Sequence, residues 1–210
     1  PSPSIHLKPL AEDALSLPVR TGKARVIGIE PASLVTKSLV REVKTDDAGC
    51  FQSALNPGLT KIAVIERHKR TGKLGIGILE GYGLTGGAIA TTISHDSHNI
   101  VVAGDNDPDM LLAVRELADM GGGIVSVHGG AIRRLPLPIA GLMTSADPQE
   151  VNAVLHDMLV AARAELGIPE DVEPFMTLSF MALPVIPELK LTARGLFNVN
   201  TFSFVGVEAD

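Results

Sequence analysis

Apolar and polar positions alternate along this chain in short blocks, and the blocks change character near residue 58. Downstream of it, residues 61–66 (KIAVIE), 73–79 (KLGIGIL), 88–94 (AIATTIS) and 99–103 (NIVVA) are runs rich in β-branched and small apolar residues, separated by glycine-containing or polar turns. Runs of that length and composition predict β-strands. A helix follows. Asp107 reads as its N-cap, Pro108 suits the first turn, and Met110, Leu111, Val114, Leu117 and Ala118 fall on one face, which predicts a helix over 107–120. Gly121, Gly122 and Gly123 stop it. Residues 124–128 and 131–135 then read as a hairpin turning at Gly129 and Gly130.

A second helix is predicted over 147–166 by the same entry device. Asp147 caps, Pro148 takes the first position, and Glu150 completes a capping box; Val151, Val154, Leu155, Met158 and Leu159 make the apolar stripe. Gly167 and Pro169 end it. The apolar stretch 175–190 is broken by Pro184 and Pro187, which excludes one continuous central strand. Upstream of residue 58, runs 24–29 (ARVIGI) and 38–43 flank a turn-prone EPAS, residues 46–49 read as a hairpin turn, and Asn56, Pro57 and Gly58 form a strong breaker. Two or three such short strands bury too little to stand alone. The expectation is therefore two parts: residues 1–58 as the tail of a small β-domain and linker, and residues 59–210 as one domain. Its class is α+β, a mixed or mainly antiparallel sheet with two packed helices.

Composition narrows the function classes. The chain has 210 residues, 45% of them apolar and only 20% charged, so a buried core is expected and global disorder is not. Aromatics are scarce at 3%, which leaves few surfaces for base stacking along a single strand. With 24 acidic against 18 basic residues the net charge is −6, which argues against a nucleic-acid backbone as partner. Cys50 is the only cysteine, so neither an internal disulfide nor a thiolate metal cage is expected. No run of about 20 apolar residues is present, and the first residues lack the basic start and apolar stretch of a signal peptide. A soluble, cytoplasmic protein is the expectation, with no membrane partner.

Gly81, Gly83 and Gly86 match the spacing of a dinucleotide fingerprint. That motif works only where a helix N-terminus follows, and the residues that follow here, GAIATTI, favour a strand. The glycines read as a turn. The densest polar cluster is His95, Asp96, Ser97, His98 and Asn99, which interrupts two apolar runs. Imidazole, carboxylate and hydroxyl together can relay protons or hydrogen-bond a heterocycle. The same residues also make a plain polar turn. As a metal site the cluster is weak, because His-x-x-His on an extended segment points its rings to opposite faces. The stretch 66–72 (ERHKRTG) reads as a charged hairpin, His128 and His156 as structural or exposed, and 135–143 as core, interface or substrate wall.

Taken in order, four strings resemble the C-terminal region of bacterial adenine deaminases: KIAVIERHKRTGKLGIGILEGYGL (61–84), GGAIATTISHDSHNIVVAG (86–104), GGGIVSVHGGAIRRLPLPIAGLM (121–143) and EPFMTLSFMALPVIPELKLTARGLFNV (173–199). Upstream, RVIGIEPASLVT (25–36) resembles the strand that re-enters that family's small β-domain. The resemblance implies an amidohydrolase barrel as partner domain, holding a pair of divalent metal ions, manganese or iron. The ligands would be a His-x-His motif, a bridging acid, two further histidines and an aspartate. This sequence has no His-x-His, so no metal ligand is assigned to it, and neither a bound metal nor turnover is expected of this chain alone. The implied reaction is hydrolytic deamination of adenine to hypoxanthine and ammonia, part of purine salvage, in a homo-oligomer. His95, Asp96, Ser97, His98 and Asn99 are the candidates for a substrate-facing loop. The alternative is a non-catalytic module for oligomerisation or purine binding.

Overall fold

The computed structural model describes residues 4–209. Eight strands form one sheet: β1 (Lys23–Ile29), β2 (Thr36–Glu42), β3 (Leu59–Ile65), β4 (Leu74–Glu80), β5 (Gly87–Thr91), β6 (Ile100–Gly104), β7 (Gly123–His128) and β8 (Ala131–Pro136). Their spatial order is β2-β1-β4-β3-β6-β5-β7-β8. Every pairing is antiparallel except β1 with β4, which run parallel through Ile27 opposite Leu79 and Gly28 opposite Glu80. A second, three-stranded sheet joins β9 (Leu189–Thr192), β10 (Gly195–Asn198) and β11 (Ser203–Phe204). Three helices complete the fold: α1 (Asp107–Asp119), α2 (Pro148–Ala164) and α3 (Pro174–Phe180). The class is α+β with a mixed, mainly antiparallel sheet.

Both faces of the large sheet are covered at its inner strands β3, β5, β6 and β7, which is why these read as nearly unbroken apolar runs. Successive side chains alternate between the faces. Ile62, Val64, Ile89, Val101 and Ala103 point to one core, shared with α2, α3 and the small sheet. Ala63, Ile65, Ala88, Ala90, Ile100 and Val102 point to the other, shared with α1. A one-residue slip in register would exchange these two sets, so burial on both sides pins the pairing. Residues 17–51 enclose a smaller cluster that includes Leu17, Val26, Val43 and Phe51.

The helix entries refine the expectation. The cap of α1 is Asn106, not Asp107: its side chain accepts from the Asp109 amide at 2.9 Å. Asp107 is already helical, and its carboxylate is committed to the buried Lys61 ammonium at 2.5 Å. In α2, Asp147 does cap, accepting from the Gln149 amide at 2.8 Å. The expected stripe of α2 is only half covered, however. Met158 is buried, Val151, Leu155 and Leu159 are partly so, and Val154 is exposed. α3 is an additional helix inside the proline-broken stretch. Glu173 caps it by accepting from the Met176 amide, Pro174 opens it, and Phe175 and Leu178 are buried.

The glycine-rich segment is a turn followed by a strand. Gly81, Gly83 and Gly86 have positive φ, and a Cβ on Gly87, the first residue of β5, would lie 1.9 Å from the Val127 carbonyl oxygen. The Gly86 and Gly87 amides are occupied by the Asp105 carboxylate at 2.6 and 3.0 Å. A phosphate would find neither a helix N-terminus nor free amides here, and the dinucleotide reading is removed.

Candidate functional site

The polar loop of residues 95–99 connects β5 to β6 at one end of the sheet. Two neighbours shape it. The His95 amide donates to the Ser179 carbonyl at 3.1 Å, which ties the loop to α3, and the His95 ring stacks, tilted by 31°, on Phe180 at 4.4 Å between centroids. On the other side lies the 66–72 turn, where His68 Nε2 meets the Ser97 carbonyl at 2.9 Å. That turn is held by Glu66, whose carboxylate accepts from the amides of His68, Lys69 and Thr71 and from the Thr71 hydroxyl. Burial alone would raise the Glu66 pKa, but these donors outweigh it and lower it to about 2.

The five candidates do not share one fate. Asp96 and Ser97 are exposed, and the Ser97 hydroxyl turns toward its own loop, 3.5 Å from Ser94 Oγ and 3.4 Å from the Asn99 amide. His98 and Asn99 turn inward. The His98 amide donates to the Ser94 carbonyl at 2.6 Å, and its φ of 48° lies in the left-handed region. His98 Nδ1 and Asn99 Oδ1 are both buried without a hydrogen-bond partner. Natural proteins rarely leave such atoms unsatisfied. Burial is the main cause that lowers the His98 pKa. The positive charges of Arg67, His95 and His68 add to it, against the Asp96 carboxylate, which raises it. A neutral imidazole carries one donor and one acceptor, the pair needed to read the edge of a heterocycle or pass a proton.

Beside the loop a cleft of about 540 Å³ opens between β5, α2 and α3, lined by Ile93, His95, Leu155, Phe175, Met176 and Phe180. Its surface is almost wholly apolar apart from His95, Glu173, Ser179 and Thr91. A depression of about 630 Å³ near β2, lined in part by Arg41 and Glu80, is somewhat larger. Those two side chains are already paired with each other at 2.6 and 2.8 Å.

The donor set does not suit the pair of divalent ions that the resemblance implies. Among the described residues, no three His, Cys, Asp or Glu side chains gather as a metal centre requires. His95 and His98 stand edge to face with centroids 6.5 Å apart. No chemical step is therefore assigned to a metal in this chain.

The sequence pattern picked out the loop but missed two of its neighbours. Arg67, within the charged turn, is 2% exposed, and its guanidinium donates to the His98 carbonyl. No local signal distinguishes it, because its partners are distant in sequence. The aromatic wall from α3 did have a signal: Glu173 followed by Pro174 repeats the acid–proline entry at Asp147 and Pro148.

Comparison with known proteins follows this geometry. The profile of the family described as "Adenine deaminase C-terminal domain" matches residues 33–203. A protein named adenine deaminase from Nitratidesulfovibrio vulgaris is 58% identical over 205 residues, covering 97% of this chain and 35% of the relative. Adenine deaminase 2 of Carboxydothermus hydrogenoformans is 47% identical, and the adenine deaminase of Clostridium acetobutylicum 44%; each match covers 97% of this chain and 36% of the relative. The chain thus spans about a third of the length of the curated relatives it matches.

Proposed function

Because the chain belongs to the adenine deaminase C-terminal domain family, we propose that it serves the hydrolytic deamination of adenine to hypoxanthine and ammonia as part of a larger polypeptide. The observation that carries this reading is the match itself: nearly the whole chain aligns at up to 58% identity among these relatives, yet it fills only 35% of the relative's length. In this proposal the barrel and its divalent metal, manganese or iron, lie outside this chain. The metal would supply an activated water at neutral pH. A cytoplasmic setting, a role in purine salvage and assembly as a homo-oligomer belong to the same proposal.

This chain's own contribution is the 95–99 loop. His98, biased toward its neutral form, presents donor and acceptor atoms to the substrate's ring nitrogens, and the Ser97 hydroxyl and Asp96 carboxylate stand exposed beside it. The place of the loop beside the apolar cleft, which His95 helps to line, supports this. Adenine is neutral and compact, which suits an acidic chain without a phosphate clamp.

A second reading is a module for oligomerisation or purine binding without turnover. The half-covered stripe of α2 and the exposed Met176 favour it, because apolar surface of that kind commonly marks an interface. Ammonia and hypoxanthine release separates the two. The full-length polypeptide carrying this domain should turn adenine over, and this chain alone should not. Turnover by the chain alone after exhaustive chelation would contradict the division of labour. A full-length protein inert with added manganese or iron would favour the second reading.

A further inference from the structure

Arg67 is a buried cation that pairs with no carboxylate among the described residues. Its three hydrogen bonds go instead to three carbonyls far apart in sequence: Nη1 donates to Ser4 at 2.7 Å, Nη2 to Ala140 at 2.9 Å, and Nε to His98. A planar guanidinium is suited to this, because its donors leave in fixed, divergent directions. A lysine could serve only part of the set. Burying a charge without a counter-ion is costly, so the arrangement demands a compensating role.

The backbone it grips is itself unusual. His98 has φ of 48° and Ala140 has φ of 59°, both in the left-handed region that non-glycine residues seldom occupy. Such residues persist only where the surrounding structure over-determines them, and they cluster at functional sites. Here both carbonyls end on the same guanidinium. Gly141, with φ of 72°, lets the backbone lie flat against it: a Cβ there would stand 2.9 Å from Nη1. Thr92 adds a clamp, donating to the Gly141 carbonyl at 2.5 Å and accepting from the Gly123 amide at 2.8 Å. The stretch 135–143, ambiguous in the sequence, is in this way joined to the 95–99 loop.

We propose that Arg67 is the anchor that positions the 95–99 loop, holding the His98 and Ala140 carbonyls in left-handed backbone so that the His98 ring keeps one orientation. Its role in turnover rests on the reading of that loop given under Proposed function. Arg67 touches no substrate in this account; it acts through His98.

The test compares Arg67→Met, Arg67→Lys and Gly141→Ala in the full-length deaminase, read by amide exchange, kinetics and histidine titration. In Arg67→Met, exchange across residues 94–99 should rise at least roughly tenfold while β3 and β6 stay protected, and kcat should fall at least roughly tenfold with KM little changed. The groups facing His98 are Arg67, His95, Asp96 and His68. Loss of the Arg67 charge and exposure of the His98 ring should both move the His98 titration to higher pH in Arg67→Met, and Arg67→Lys, which keeps the charge, should move it less and recover part of the lost kcat. Gly141→Ala keeps the charge and shifts the guanidinium, so it should loosen the loop even where Arg67→Met fails to fold. Unchanged exchange over 94–99 in Gly141→Ala and in whichever Arg67 variants fold overturns the anchor. Faster exchange with wild-type turnover leaves the anchor standing and overturns the catalytic reading of the loop.

Discussion

Glu66 and His98 show how single side chains at the site are set by what surrounds them. Glu66 has its pKa pulled to about 2 by the donors of its turn. A carboxylate with a depressed folded pKa adds stability above its unfolded value and loses it as pH falls through the folded value. This contribution is present above about pH 4.5 and disappears toward pH 2. His98 is shifted down as well, so the unfolded chain takes up its proton first, and stability declines as pH falls below the ordinary histidine value of 6.5. Acid unfolding should show both limbs. His98→Asn should remove the upper one and Glu66→Gln the lower, as read by urea midpoints across pH. Coincident curves for His98→Asn and wild type between pH 7 and 5 would refute the first assignment. At this scale the sequence is least informative. His95, Asp96, Ser97, His98 and Asn99 stand out as a polar interruption, but which of them turn inward is decided by Arg67 and Ser179, far along the chain.

Elements were legible wherever their signal is local. The strands from β3 to β8 follow the apolar runs closely, because each run is bounded by residues that must turn. The cap of α1 was displaced by one residue because Asp107 is claimed by Lys61, a tertiary partner that no helix rule anticipates. α3 hid inside a stretch rich in strand-forming residues, although its acid–proline entry was in plain view. Its start is also held from outside. The buried Tyr82 hydroxyl donates to the Pro174 carbonyl at 2.9 Å, linking the glycine turn to α3. Tyr82→Phe leaves that carbonyl without its donor and should cost roughly 1–2 kcal/mol. For a chain of this size that lowers Tm by about 2–8 °C. A melting temperature within a degree of wild type would mean that water satisfies Pro174 and that the tyrosine does not hold the helix.

The whole molecule is organised around one doubly covered sheet whose β5–β6 end carries the polar loop and the aromatic cleft. The class was readable because burial on both faces leaves runs of apolar residues in the sequence. The clamp around Arg67 was not, since it joins residue 67 to residues 4, 98 and 140. Among the described residues, no helix is long and apolar enough to cross a membrane. In the proposed function the 95–99 loop serves adenine turnover in the larger protein. Its most direct test is kcat/KM for adenine of full-length His98→Ala and Ser97→Ala, with metal content and Tm measured alongside. Each substitution should lower kcat/KM at least roughly tenfold, equivalent to about 1.4 kcal/mol of transition-state stabilisation, at unchanged metal content and fold. Near-normal kinetics in both variants would contradict it, reducing the loop to a solvated turn and leaving only the family assignment in place.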